Sequence, residues 1–230
     1  MASPIRACVF DAYGTLFDVH SAVARHANAV GPKAEEMSKL WRAKQLEYTW
    51  TRTLMGRHAD FWAVTGEALD VAMAAFGLTG AALRDSLLDA YRRLAAYPEV
   101  PAVLTRLRGA GLKTAILSNG TPAMLQDAVQ AAGIAALLDA VLSVEEIGIY
   151  KPAARVYQIA CRHFGVAPGE ICFQSSNAWD AAGAAAYGFR VAWINRGGQP
   201  DEYGFARPAI TLPSLAKLPD YVLGGQVLGG

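Results

Sequence analysis

The apolar positions of the chain change their period twice. A short continuous run, Ala7-Cys8-Val9-Phe10, reads as a buried parallel strand that stops on Asp11, with Gly14 in the turn beyond it. After Thr15 the spacing is helical for about eighty residues. It predicts helices over His20 to Val30, Lys33 to Leu54, Arg57 to Phe76 and Ala81 to Ala95, with Gly31-Pro32 and Gly77 as stops. In the second of these, Met37, Trp41 and Tyr48 share one stripe. From Tyr97-Pro98 onward, strand and helix alternate. Predicted strands cover Lys113 to Leu117, Ala140 to Leu142, Ile171 to Phe173 and Arg190 to Ile194. Predicted helices lie around Val103 to Leu107, after Pro122, from Lys151-Pro152 to about His163, and over Ala178 to Tyr187. The Gly-rich end reads as a loosely held tail. The expected fold is α/β: a Rossmann-like core, residues 1–16 and 98–230, with a mostly parallel sheet flanked by helices. A helical cap, residues 17–97, is inserted over its active face.

Composition narrows the partners. The chain has 230 residues, 53% hydrophobic and 18% charged, enough for a sizeable core, and a formal net charge of +1. That balance gives no reason to expect nucleic acid or an anionic membrane as partner. Cys8, Cys161 and Cys172 show no metal-binding spacing, and two of them fall in predicted strands, so buried reduced thiols are expected. There is no signal-peptide pattern after Met1 and no apolar run of the ~20 residues a membrane span needs. A soluble, cytoplasmic chain is expected.

Polar groups gather where chemistry is expected. In open α/β sheets ligands sit beyond the carboxyl ends of the strands. Those ends carry Asp11 with Thr15, Ser118 with Asn119, Lys151, and Ser175-Asn177-Asp180. Each has a bland reading: Asp11, Ser118 and Ser175 as caps, Lys151 as a solvated loop lysine, Asp180 as a first-turn acid favouring the helix dipole. Their joint occurrence along one sheet edge favours a site.

Together these residues resemble the haloacid dehalogenase superfamily: Asp-x-x-Gly-Thr after the first strand, a hydroxyl after the second, Lys-Pro before a helix, and a distal Asp. Its phosphatases open with Asp-x-Asp-Gly-Thr, and a later Gly-Asp-x-x-x-Asp helps bind Mg²⁺. Here Tyr13 stands in place of the second Asp, and Ser175-Ser176 in place of Gly-Asp, so one hard oxygen ligand is missing. The L-2-haloacid dehalogenase branch resembles the chain more closely. It is similar at Phe10 to Asp18, Trp41 to Trp50, Leu117 to Gly120, Tyr150 to Pro152, Tyr157, and Ser175 to Asp180, over about residues 5 to 196.

The resemblance implies hydrolysis of short L-2-haloalkanoic acids to D-2-hydroxy acids. Asp11 would displace halide from C2 with inversion, and water would then hydrolyse the aspartyl ester. No metal and no organic cofactor is required. Lys151 would keep Asp11 ionised, and Arg42 with Asn119 would receive the halide. Ser118 and backbone N–H groups around Tyr13 would hold the substrate carboxylate. Thr15, Ser175, Asn177 and Tyr157 would orient the reacting groups. Asp180 is either the base for water or a support for Lys151. Tyr13, Leu46, Phe61 and Trp179 would wall the alkyl group. The same resemblance implies a homodimer formed through apolar cap helices. The alternatives are a Mg-dependent phosphatase of the same superfamily acting on a small ester, and a catalytically silent ligand-binding module.

Overall fold

The computed structural model describes residues 3–227. The continuous apolar run forms β1 (Ala7–Phe10), which is buried along its whole length. Two short helical turns follow, α1 (Ser21–Ala24) and α2 (Ala27–Val30), in place of the single helix expected over His20 to Val30. The break falls at Arg25-His26, and neither turn has a side-chain N-cap. Next come α3 (Ala34–Met55), α4 (Phe61–Ala75) and α5 (Ala81–Arg92). Helix α4 starts later than expected because Asp60 accepts the Ala63 N–H and caps it there.

The βα series then runs α6 (Val100–Gly109), β2 (Lys113–Ser118), α7 (Pro122–Ala131), β3 (Ala140–Ser143), α8 (Ala154–Phe164), β4 (Ile171–Ser175), α9 (Ala178–Tyr187) and β5 (Arg190–Ile194). Thr121 caps α7, with Pro122 as its first helical residue. After β5 the structure adds elements the sequence did not suggest, an edge strand, β6 (Ile210–Leu212), and a helix, α10 (Leu218–Val227), which takes in Gly224 and Gly225 of the expected loose tail. Buried Leu212, Leu215, Leu218 and Val222 anchor it, and only residues 228–230 of that stretch lie outside the described part. The helix was hidden by its glycines, which read as a breaker in a sequence without packing information.

All pairings in the six-stranded sheet are parallel, in the order β3-β2-β1-β4-β5-β6. Strand β1 is therefore central, with Phe10 in register with Ile116 of β2 and Gln174 of β4. The chain leaves β1, builds one side of the sheet, and returns to the other, which makes the β1/β4 boundary a topological switch point. All the candidate strand-end residues lie at this edge.

Helices α1 to α5 lie between β1 and β2 in sequence, and the two connections to them run side by side. Phe17 pairs with Ala96 in an antiparallel bridge. The Asp18 N–H donates to Ala95 O (2.8 Å) and the Tyr97 N–H to Leu16 O (3.0 Å). No helix among the described residues is long and apolar enough to cross a membrane.

One glycine is required by packing. A Cβ on Gly120, just past β2, would lie 2.7 Å from Tyr13 Cε2 and 3.2 Å from Leu125 Cδ2, both on buried side chains. Gly120→Ala should destabilise the chain by about 1–3 kcal/mol through overpacking. Gly109→Ala, where the added methyl meets nothing, should cost nothing. Urea unfolding of the two variants checks this; equal midpoints would contradict it.

Candidate active site

The site is built on a lysine placed between two buried carboxylates. Lys151 Nζ lies 3.2 Å from Asp11 Oδ1 and 2.9 Å from Asp180 Oδ2, and the lysine side chain is 1% exposed. Asp11 ends the central strand, Asp180 stands in the first turn of α9, and Lys151 arrives on the loop between β3 and α8. The Lys151 N–H donates to Asn119 Oδ1 (3.1 Å), so the second strand end fixes the lysine's own backbone. The Phe173 ring lies 4.9 Å from the ammonium.

Each carboxylate has further donors. Asp11 Oδ2 accepts from Thr15 Oγ1 (3.0 Å) and Asn177 Nδ2 (2.9 Å). Thr15 Oγ1 in turn accepts the Ser176 N–H (2.8 Å), so the hydroxyl that holds Asp11 is itself held. Asp180 Oδ1 accepts from the Tyr157 hydroxyl (2.8 Å). Helix α9 can come this close because Gly183 has no side chain: a Cβ there would lie 2.6 Å from both Tyr157 OH and Pro152 Cβ. Burial raises the pKa of Asp180, with Asp11 adding to the rise and Lys151 opposing it. Burial and the neighbouring Asp180 push the Tyr157 phenol well up, so it acts as a hydrogen-bond donor.

Arg42 reaches the site from α3. Its Nη1 donates to Gln45 Oε1 (2.7 Å) and its Nη2 to the Tyr13 carbonyl (3.1 Å), two residues past Asp11. The Tyr13 carbonyl is also 3.4 Å from Asn177 Nδ2. The Tyr13 ring is buried against Phe17, Phe61 and Tyr91, with centroids 6.5, 5.7 and 5.5 Å away. Burial, then Tyr91, pushes its phenol well above the ordinary value, so it cannot supply a proton as a carboxylic acid would.

The remaining expected residues are less closely tied to Asp11. Ser118 and Ser175 are not helix N-caps: each hydroxyl accepts an N–H two residues on, from Gly120 and Asn177 (3.1 Å each). Among the N–H groups near Tyr13, that of Gly14 is taken by Phe17 O (2.8 Å) and that of Thr15 by Ala12 O (3.3 Å). Trp179 packs edge-on to Trp50 (5.3 Å) and, with Trp50, Tyr150 and Lys151, lines a cavity of about 770 Å³. Leu46 is half-buried, and its carbonyl accepts from Thr49 Oγ1.

Gln45 was missed from sequence. It is buried, accepts from Arg42 and from the Tyr91 hydroxyl (3.1 Å), and donates to Thr65 Oγ1 (2.7 Å). The available signal was a glutamine four residues after Trp41, on the apolar face of a helix.

Removing the central cation should expose the cost of the two anions. Lys151→Met should destabilise the chain by about 3–5 kcal/mol at pH 7. A carboxyl whose folded pKa is raised contributes stability below its unfolded pKa and loses it as pH rises through the folded one. The deficit at pH 5 should therefore be smaller than at pH 7, because lowering the pH favours the protonated Asp180 that burial already favours. Urea unfolding at both pH values checks this, and a deficit independent of pH would contradict it.

Comparison with known proteins places this geometry. Residues 5–188 match the model of the haloacid dehalogenase-like hydrolase family. The (S)-2-haloacid dehalogenase 1 of Pseudomonas sp. (strain CBS-3) is 56% identical over 96% of this chain and 97% of its own. A crystal structure of a dehalogenase with an intermediate complex is 50% identical with a TM-score of 0.94, covering 96% of this chain and 98% of that one. The L-2-haloacid dehalogenase of Xanthobacter autotrophicus, solved with chloropropionic acid covalently bound, is 39% identical with a TM-score of 0.89, covering 96% and 99%. A carboxylate, a lysine and a second carboxylate at the switch point of a parallel sheet, and relatives matched along nearly their whole length, lead to one conclusion. The chain belongs to the haloacid dehalogenase-like hydrolases.

Proposed function

We propose that the chain is an (S)-2-haloacid dehalogenase, converting short L-2-haloalkanoic acids and water to D-2-hydroxyalkanoic acids and halide. The observation that carries this reading is the Asp11–Lys151–Asp180 row with Tyr13 buried beside it. Among the described residues, Asp11 Oδ2 is engaged by two hydrogen-bond donors and Oδ1 by Lys151 alone, which leaves Oδ1 the freer oxygen to attack C2. The C–halogen bond breaks as the Asp11 O–C2 bond forms, with inversion and with the electron pair leaving on halide. Water then adds to the Asp11 carbonyl and releases the hydroxy acid.

Electrostatics sets the demand on the site. Two like charges ~4 Å apart repel by roughly 4 kcal/mol at an effective dielectric of ~20. The Asp11 and substrate carboxylates would meet that barrier, and the Lys151 ammonium offsets part of it. Arg42, with N–H groups beyond the two already used, and the Asn119 amide would stabilise the departing halide. The Ser118 hydroxyl, which accepts from Gly120, retains its own proton for the substrate carboxylate. Tyr13, Leu46, Phe61 and Trp179 would form the apolar wall. Thr15, Ser175, Asn177 and Tyr157 would hold the reacting groups in place. Both oxygens of Asp180 are occupied, by Lys151 and Tyr157, which supports a positioning role for it.

The division into a core (1–16 and 98–230) and a helical cap (17–97) accords with the paired connections at Phe17 and Ala96. A homodimer through the cap helices accords with exposed Leu54, Met55 and Val71 on α3 and α4. The phosphatase alternative requires an acid at the Tyr13 position and a metal ligand at Ser176, and neither residue supplies it.

Chloride release from L-2-chloropropionate in the presence of EDTA tests the reading. The parent chain should release chloride, and Asp11→Asn should fall below about 10⁻³ of its rate. Absent release, combined with Mg²⁺-dependent hydrolysis of a phosphate ester, would overturn the assignment. Light scattering should give the mass of two chains, and a monomer would contradict the dimer.

A further inference from the structure

We infer that Arg196 is a positioning residue for the Asp11 reaction: it pins the Thr15 carbonyl to the segment returning from the helical block and so fixes the hydroxyl that holds Asp11. The inference rests on the dehalogenase reading of the site and adds a residue outside it. Arg196 stands just beyond β5, with its side chain 19% exposed. Its Nη2 donates to Thr15 O (3.0 Å), its Nη1 lies 2.7 Å from Glu99 Oε1, and its guanidinium stacks 3.6 Å from the Tyr97 ring centre.

Three chain segments therefore meet on one planar group. Thr15 belongs to the turn leaving β1, Tyr97 and Glu99 to the return from α5, and Arg196 to the end of β5. Glu99 is itself fixed, accepting from the Leu215 N–H (3.3 Å). Thr15 is thus tethered at both ends, its carbonyl by Arg196 and its hydroxyl between Ser176 N–H and Asp11 Oδ2. The Tyr13 carbonyl that receives Arg42 lies in the same turn. Small displacements of this turn move the nucleophile and its halide-side arginine together. A misplacement of about 1 Å is enough to cost on the order of 10²-fold in rate. A guanidinium offers a stacking face and two donors fixed in one plane; an ammonium is a compact point charge without that face or that fixed spacing.

Arg196→Ala should lower kcat for chloride release from L-2-chloropropionate about 10–100-fold, with KM within about threefold of the parent. Added guanidinium ion should restore part of the lost kcat, and Arg196→Lys should fall between Ala and the parent. A role confined to stability would shift the unfolding midpoint and leave kcat unchanged. The inference is overturned by a folded Ala variant with kcat within twofold of the parent. It is equally overturned by a loss that lies in KM, or by one that neither lysine nor guanidinium relieves. If the Ala variant does not fold, Arg196→Lys decides by its kcat alone. A parent that releases no chloride sinks both this inference and the dehalogenase reading; an active parent with unaffected variants sinks this inference only.

Discussion

Two carboxylates buried at one strand edge need a positive charge between them, and the Lys151 ammonium supplies it. Removing ions from water costs several kcal/mol each unless attraction and hydrogen bonds compensate. Much of the local architecture serves that compensation. Parallel pairing of β1 with β4 sets Asp11 near the start of α9, and Gly183 lets Tyr157 and Pro152 approach that helix. Asn119 at the end of β2 anchors the lysine's backbone. Thr15, Asn177 and Tyr157 satisfy the remaining carboxylate positions. Because the cation is part of the chain, the charge of the site is set by folding itself.

A second group of contacts joins the helices between β1 and β2 to this row. Arg42 crosses from α3 to the Tyr13 carbonyl, and the Tyr13 ring fills an aromatic cluster with Phe17, Phe61 and Tyr91. His58 reaches Glu145 (3.0 Å), and the Tyr150 hydroxyl donates to Ala59 O (2.5 Å), beside the lysine loop. The same turn that carries the nucleophile thus carries the contact to the arginine proposed for halide. In the proposed mechanism attack and leaving-group stabilisation would both depend on one short segment, residues 11 to 17, which gives its tethers weight out of proportion to their number.

Much of this was legible in the sequence, for identifiable reasons. Parallel strands buried on both faces read as unbroken apolar runs, so β1, β2, β4 and β5 were visible, and their polar termini marked the edge. Tyr13 and Ser176 were informative because they are chemically wrong for a phosphatase. The C-terminal α10 was obscured because glycines in a helix are overridden only by packing, here by Leu215, Leu218 and Val222, and β6 because it is only three residues long. Gln45 and Arg196 were overlooked for a related reason: apart from Arg42 beside Gln45, the partners that define them, such as Thr65 and Thr15, lie 20 and 181 residues away.

The central claim is that Asp11 forms an ester and gives up an oxygen when that ester is hydrolysed. A single turnover of L-2-chloropropionate with excess enzyme in heavy-oxygen water, followed by mass spectrometry of the peptide containing Asp11 and of the lactate, tests it most directly. The account predicts label in the Asp11 carboxylate and none in the product hydroxyl. Label in the product hydroxyl with an unlabelled Asp11 peptide would mean that water attacks C2 directly, and would contradict it.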